Sequence, residues 1–183
     1  MRSAFVLLLV LSLAIFTSCR PFSQKTVRSE PAPTPQASSR FPAPTGLVND
    51  YANILDGESR LRLETLLTKL KTKANIEFAI VTIETTKGEP IFDYSLALAR
   101  EWGLGPKDPN VGGGILYVLA IKDRQWRLQI TRSLEKDLPG EVTKKLGDDS
   151  NSFYQSSDYA GGVEKFVAAL IDRLEQQRGF SLD

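Results

Sequence analysis

Gly112-Gly113-Gly114-Ile115-Leu116-Tyr117-Val118-Leu119-Ala120-Ile121-Lys122-Asp123-Arg124 is the stretch around which the rest of the chain arranges itself. Seven apolar residues in succession, Ile115 to Ile121, follow three glycines and stop at Lys122, Asp123, Arg124 and Gln125. The run is too short to span a bilayer and too continuous for a strand with one wet face. It predicts a central strand covered on both faces.

Upstream, Asp56 with Glu58 behind it predicts a capped helix to about Lys73, with Leu63, Leu66, Leu67 and Leu70 as its buried stripe. Ile76 to Glu84 is rich in β-branched residues and predicts a second strand. Pro90 starts a helix with Ile91, Tyr94, Leu98 and Trp102 on its apolar face, and Gly103 ends it. Strand, helix, strand implies a crossover that sets Ile76–Glu84 parallel to Ile115–Ile121. Downstream, Trp126 to Thr131 alternates apolar and polar residues, as an antiparallel edge strand does. A helix follows Pro139 with Val142, Leu146 and Phe153 on one side. A last helix, capped by Asp158, presents Val163, Phe166, Val167, Leu170, Ile171 and Leu174. The expected fold is a three-layer α/β/α sandwich on a small mixed sheet, two parallel strands plus an antiparallel edge hairpin strand. Gly46 to Leu55 reads as extended or irregular, covering one end of the core.

The chain has 183 residues, enough for one domain with extras. Met1 to Cys19 has a basic start, an apolar stretch and small residues before a cysteine, the anatomy of an export signal. Cys19 is the one cysteine, and it stands where a bacterial lipoprotein carries its lipid. Arg20 to Thr45 holds six of the ten prolines among serines and alanines. Such a segment cannot bury enough surface to order itself and predicts a tether with a reach on the order of 30 Å. The expected organisation is a signal over 1–18, lipidated Cys19 and tether over 19–45, the domain over 46–178 and a tail over 179–183. Without Arg2 the 23 basic residues become 22, equal to the 22 acidic ones. That balance argues against a nucleic-acid binder or a protein held by a polybasic patch. The expected location is the bacterial envelope, lipid-anchored. Arg20 after Cys19, in place of the aspartate of inner-membrane retention, favours the outer membrane.

There is no histidine. With the cysteine assigned to lipid, Ser-His-Asp and Cys-His catalysis and ordinary zinc sites are excluded, and no haem is expected. Gly112 to Gly114 is followed by no Gly-Lys-Ser/Thr and precedes a strand, so it is not a phosphate loop and no nucleotide is expected. Carboxylates, hydroxyls, amides and guanidinium groups remain, which suit Ca²⁺ or Mg²⁺.

Val48 to Leu55 (VNDYANIL), Trp102 to Gly105 (WGLG), GGILYVLAIKDR, Leu134-Glu135 and Ser157-Asp158-Tyr159-Ala160-Gly161-Gly162 occur in the order and spacing of TPM domains. The chain resembles that family from about Gly46 to Leu170. The resemblance implies export or membrane attachment, a small α/β/α sandwich, and one of three roles: acid phosphatase-like hydrolysis of phosphomonoesters, calcium binding, or modulation of a partner without catalysis. The chain departs from the pattern at Gly113, where the family usually has asparagine. It departs again at Thr131-Arg132-Ser133, which replaces the glycines before the Leu-Glu pair, and the aspartate that often follows is displaced. The departures weigh toward a non-catalytic envelope module with a protein partner.

Two groups of carboxylates compete for the site. Asp123 belongs to the hairpin turn near Thr85 and Thr86. Glu135 and Asp137 lie beside the loop holding Asp108, Asn110 and Gly112, roughly 20 Å away along the strands. The matches at Asp50, Gly105, Gly114 and Glu135 favour the second end. Asp50, Glu135, Asp108, Asn110 and Asp137 are then the expected oxygen donors, Asp50 and Glu135 the candidate catalytic pair, and Gly112, Gly113 and Gly114 the backbone loop. For Asp50 the competing reading is an Asx turn or helix cap, for Glu135 an ion pair, for the glycines tight backbone geometry, and for Asp123 and Arg124 a solvated turn.

Overall fold

The computed structural model describes residues 39–105 and 112–182. The chain runs β1 (Val48–Asp50), α1 (Gly57–Ala74), β2 (Ile76–Ile83), α2 (Ile91–Trp102), β3 (Gly113–Ala120), β4 (Gln125–Ile130), a 3₁₀ turn (Arg132–Leu134), α3 (Gly140–Gln155) and α4 (Tyr159–Arg178). Cys19, Asp108 and Asn110 lie outside the described residues.

The helices begin and end where local chemistry sets them. The Asp56 side chain accepts from Ser59 N–H at 2.7 Å, and Asn75, left-handed, closes α1. Gly103 ends α2 in the same left-handed conformation, and Asp158 caps α4 by accepting from Gly161 N–H at 3.0 Å.

The sheet order is β1-β2-β3-β4, the first three strands parallel and β4 antiparallel to β3. All eight residues of β3 are buried, as the continuous apolar run requires. On one face Phe78, Ile80, Ile115 and Tyr117 pack against Leu63, Leu67 and Leu70 of α1 and Val163, Phe166 and Leu170 of α4. On the other, Val81, Leu116 and Val118 pack with Leu98 of α2 and with Phe41. The three-layer α/β/α sandwich on a mixed sheet is present, and its parallel part has one more strand than the pattern revealed.

That strand is β1. Its three residues include Asn49 and Asp50, so no apolar periodicity marks it. Asn49 is nonetheless 1 % exposed, accepting from Thr45 N–H at 2.8 Å and donating to Gly46 O at 3.0 Å. The ordered fold also reaches further at both ends than 46–178. Phe41 is buried edge-on against Tyr94 with ring centroids 5.1 Å apart, and Leu182 is buried after α4. Among the described residues no helix is long and apolar enough to cross a membrane.

Candidate functional site

Strand register decides which acidic residues share an end of the sheet. Asp50 pairs with Thr82 and Thr82 with Leu119, at the carboxyl ends of the parallel strands. Glu135 follows the chain past the opposite end, where Thr131 N–H donates to Gly114 O at 2.9 Å. From Gly114 to Leu119 the sheet rises roughly 17 Å. Asp50 and Glu135 therefore cannot hold one ligand, and the expected ligand set is corrected: β1 joins the sheet in parallel, which carries Asp50 away from the glycine loop.

Asp50 is instead a structural acceptor. Its side chain is fully buried and receives Ile54 N–H at 3.1 Å, Leu55 N–H at 3.0 Å and the Thr82 hydroxyl, with Arg60 at 3.3 Å. This is the Asx-type reading, since the carboxylate closes the turn between β1 and α1. Asp137 pairs with Arg178 at 2.7 Å and fastens the 3₁₀ turn to α4. Glu135 is exposed and has no side-chain partner among the described residues. Among the described residues no three acidic side chains gather closely enough to hold a metal ion.

The glycine loop is shaped by close packing. A Cβ at Gly112 would fall 1.9 Å from Asn75 O, one at Gly113 2.6 Å from Leu134, and one at Gly114 2.7 Å from Gly105 Cα. Two backbone segments touch at Gly105 and Gly114, which only glycine permits.

At the other end Asp123 is tied down as well. Its carboxylate accepts from Thr86 N–H at 2.7 Å, Thr85 Oγ1 at 2.8 Å and Thr86 Oγ1 at 3.1 Å. The Thr86 backbone donor, then the Thr85 hydroxyl, holds its pKa below the usual carboxylate value. It is a clamp between the hairpin turn and the loop after β2 rather than a merely solvated turn residue.

The open space at this end lies on the opposite side of the hairpin. A cleft of about 440 Å³ sits between the end of β3, the turn at Arg124 and the junction of α3 with α4. Tyr154 and Tyr159 form one wall, their rings stacked at 6.3 Å with an interplanar angle of 21°. The Tyr154 hydroxyl lies 2.7 Å from that of Tyr117, which has no exposed surface. Burial pushes the Tyr154 phenol up to about 12 and that of Tyr117 well above its ordinary value. Arg124, Gln125, Asn151, Gln155 and Ser157 supply polar groups at the rim.

The late motif Ser157 to Gly162 builds this cleft. Ser157 turns the chain with φ of 63°, Asp158 caps α4, Tyr159 lines the wall, and Gly162 makes room for Tyr154, whose Cε1 would lie 2.2 Å from a Cβ there. Arg124 across the cleft is also left-handed, with φ of 52°. Each such non-glycine residue costs roughly 1–2 kcal/mol, and strain of this kind gathers at functional sites. Sequence reasoning passed over Tyr154, Tyr159 and Ser157. Two signals pointed to them: the Ser157–Gly162 motif itself, and the rule that open α/β sheets bind ligands beyond the carboxyl ends of their strands.

The TPM domain model matches residues 48–173. The solution NMR structure of the N-terminal domain of a protein from P.gingivalis superposes with a TM-score of 0.65 at 30% identity, covering 73% of this chain and 84% of that one. The N-terminal domain of a protein from Corynebacterium glutamicum, 13% identical, has a TM-score of 0.53 over 72% of this chain and 82% of its own, a likeness of fold alone. No curated protein matches this chain. With the family model spanning the sheet and both helical layers, and with the Val48–Leu55, Trp102–Gly105 and Ser157–Gly162 motifs each accounted for in the fold, the chain belongs to the TPM domain family.

Proposed function

We propose that this TPM domain is a lipid-anchored envelope module that binds a protein partner and does not catalyse. The lipid on Cys19 and the proline-rich segment after it hold the domain a short distance from the membrane, with the outer membrane favoured. The observation that carries the binding reading is the composition of the cleft. Among the described residues it offers one guanidinium, amides and hydroxyls, and no carboxylate, thiol or imidazole to serve as general base. Hydrolysis of a phosphomonoester assisted by a cation on Asp50 and Glu135 would need those residues on one substrate, and they stand at opposite ends of the sheet.

The test is turnover. The mature chain, with Ca²⁺ or Mg²⁺ present, is expected to hydrolyse p-nitrophenyl phosphate no faster than a Tyr154→Phe, Arg124→Gln double variant. Turnover that disappears in that variant would make the cleft an active site and overturn the proposal. Mass spectrometry of the native N-terminus checks the anchor, because an unmodified Cys19 contradicts it.

A further inference from the structure

Among the described residues Arg124 is the only charged one lining the cleft. Its guanidinium has no acceptor among the described residues. The two acids nearest in sequence to the lining are not part of it and are engaged: Asp123 with Thr85 and Thr86, and Asp158 with Gly161 N–H at 3.0 Å. The lining thus carries a positive charge without a counter-charge, which favours an anionic ligand. A guanidinium fits a carboxylate through two parallel hydrogen bonds.

The remaining lining narrows the ligand further. Leu119, Trp126 and the Tyr154–Tyr159 pair give the cleft an apolar side that a small inorganic anion would leave unused. Asn151 and Gln155 present amides able to pair with a peptide backbone. A volume of about 440 Å³ accepts a group of a few side chains. Arg124 and Ser157 hold left-handed backbone conformations on two sides of this one space.

Resting on the binding reading above, we propose that the cleft receives an acidic peptide segment of the partner, its carboxylate on Arg124 and an adjoining apolar side chain against Tyr154 and Tyr159.

The test is an NMR titration of the isotope-labelled mature chain carrying Cys19→Ser, with three probes: acetyl-Glu-Phe-Glu-amide, acetyl-Gln-Phe-Gln-amide and inorganic phosphate. The acidic peptide is expected to shift the amide resonances of Arg124, Gln125, Ser157 and Tyr159. The glutamine peptide should bind about tenfold more weakly, the loss of one charge-assisted hydrogen bond. Arg124→Gln should weaken the acidic peptide by a similar factor and Arg124→Lys by less, because lysine keeps the charge and loses the fork. Arg124→Gly relieves the left-handed backbone, so it should raise the thermal midpoint while weakening binding at least as much as Arg124→Gln, which separates loss of the site from loss of the fold. Equal binding of both peptides, phosphate binding as tight as the acidic peptide, or binding undiminished by Arg124→Gln each overturns the assignment. No shift with any probe also overturns it, and the binding reading then still stands on the turnover assay. Turnover of a phosphomonoester through this cleft sinks both.

Discussion

The Tyr154 hydroxyl lies 2.7 Å from that of Tyr117, and the contact is unequal: Tyr117 has no exposed surface, while Tyr154 opens onto the cleft. Removing either hydroxyl should therefore have different consequences. Tyr154→Phe leaves the Tyr117 hydroxyl buried without a partner, at about 1–3 kcal/mol. Tyr117→Phe removes the buried group and leaves Tyr154 facing the cleft, at about 0.5–1.5 kcal/mol. Urea denaturation of the two variants checks the order, and equal losses would contradict it.

The same pair predicts alkaline sensitivity. Burial raises the folded-state pKa of Tyr154 from 10.0 to about 12, so the unfolded chain loses that proton first. The folded state then binds more protons than the unfolded state across that interval. The stabilisation is complete below the unfolded value and is lost as pH rises from 10.0 toward about 12. Tyr154→Phe should flatten the decline in thermal midpoint over this window. An unchanged slope would show that Tyr154 does not supply it.

Asp50→Ala should damage the fold. It strips partners from the Ile54 and Leu55 amides and from the Thr82 hydroxyl. With hydrogen bonds to a charged group at about 1.5–3 kcal/mol each, a loss of about 3 kcal/mol or more is expected. Thermal denaturation with and without millimolar Ca²⁺ provides the check. A small loss, or a Ca²⁺-dependent stabilisation present in the wild type and absent in the variant, would return Asp50 to the role of ligand.

Gly147→Ala should reverse the usual sign. In an open helix interior the change gains about 1 kcal/mol. Here the added Cβ would lie 1.8 Å from Trp126 Cζ2. Overpacking of about 1–3 kcal/mol is expected, with a change in tryptophan emission as the indole moves off Phe166, now 5.5 Å away between centroids. A stabilised variant with unchanged emission would contradict the contact.

The chain announced its elements through local chemistry. The apolar run of β3, the β-branched run of β2, the alternation of β4, the Asp56 and Asp158 caps and the Gly103 stop are each written within a few neighbouring residues. Periodicity and capping act over that range, so the α/β/α layering and the family were legible without coordinates.

What only the tertiary structure decided depends on pairings between residues distant in sequence. β1 is too short and too polar to show a period, and its parallel register with β2 alone places Asp50 at the far end from Glu135. The cleft likewise exists only where Arg124, Tyr154 and Tyr159 converge from the hairpin, α3 and α4. Both ends of Gly112–Arg124 carry residues suited to ligands, but hydrogen-bond partners from elsewhere in the chain engage Asp50, Asp123 and Asp137. Arg124 keeps an open face on the cleft, and no local pattern could distinguish it from its engaged neighbours.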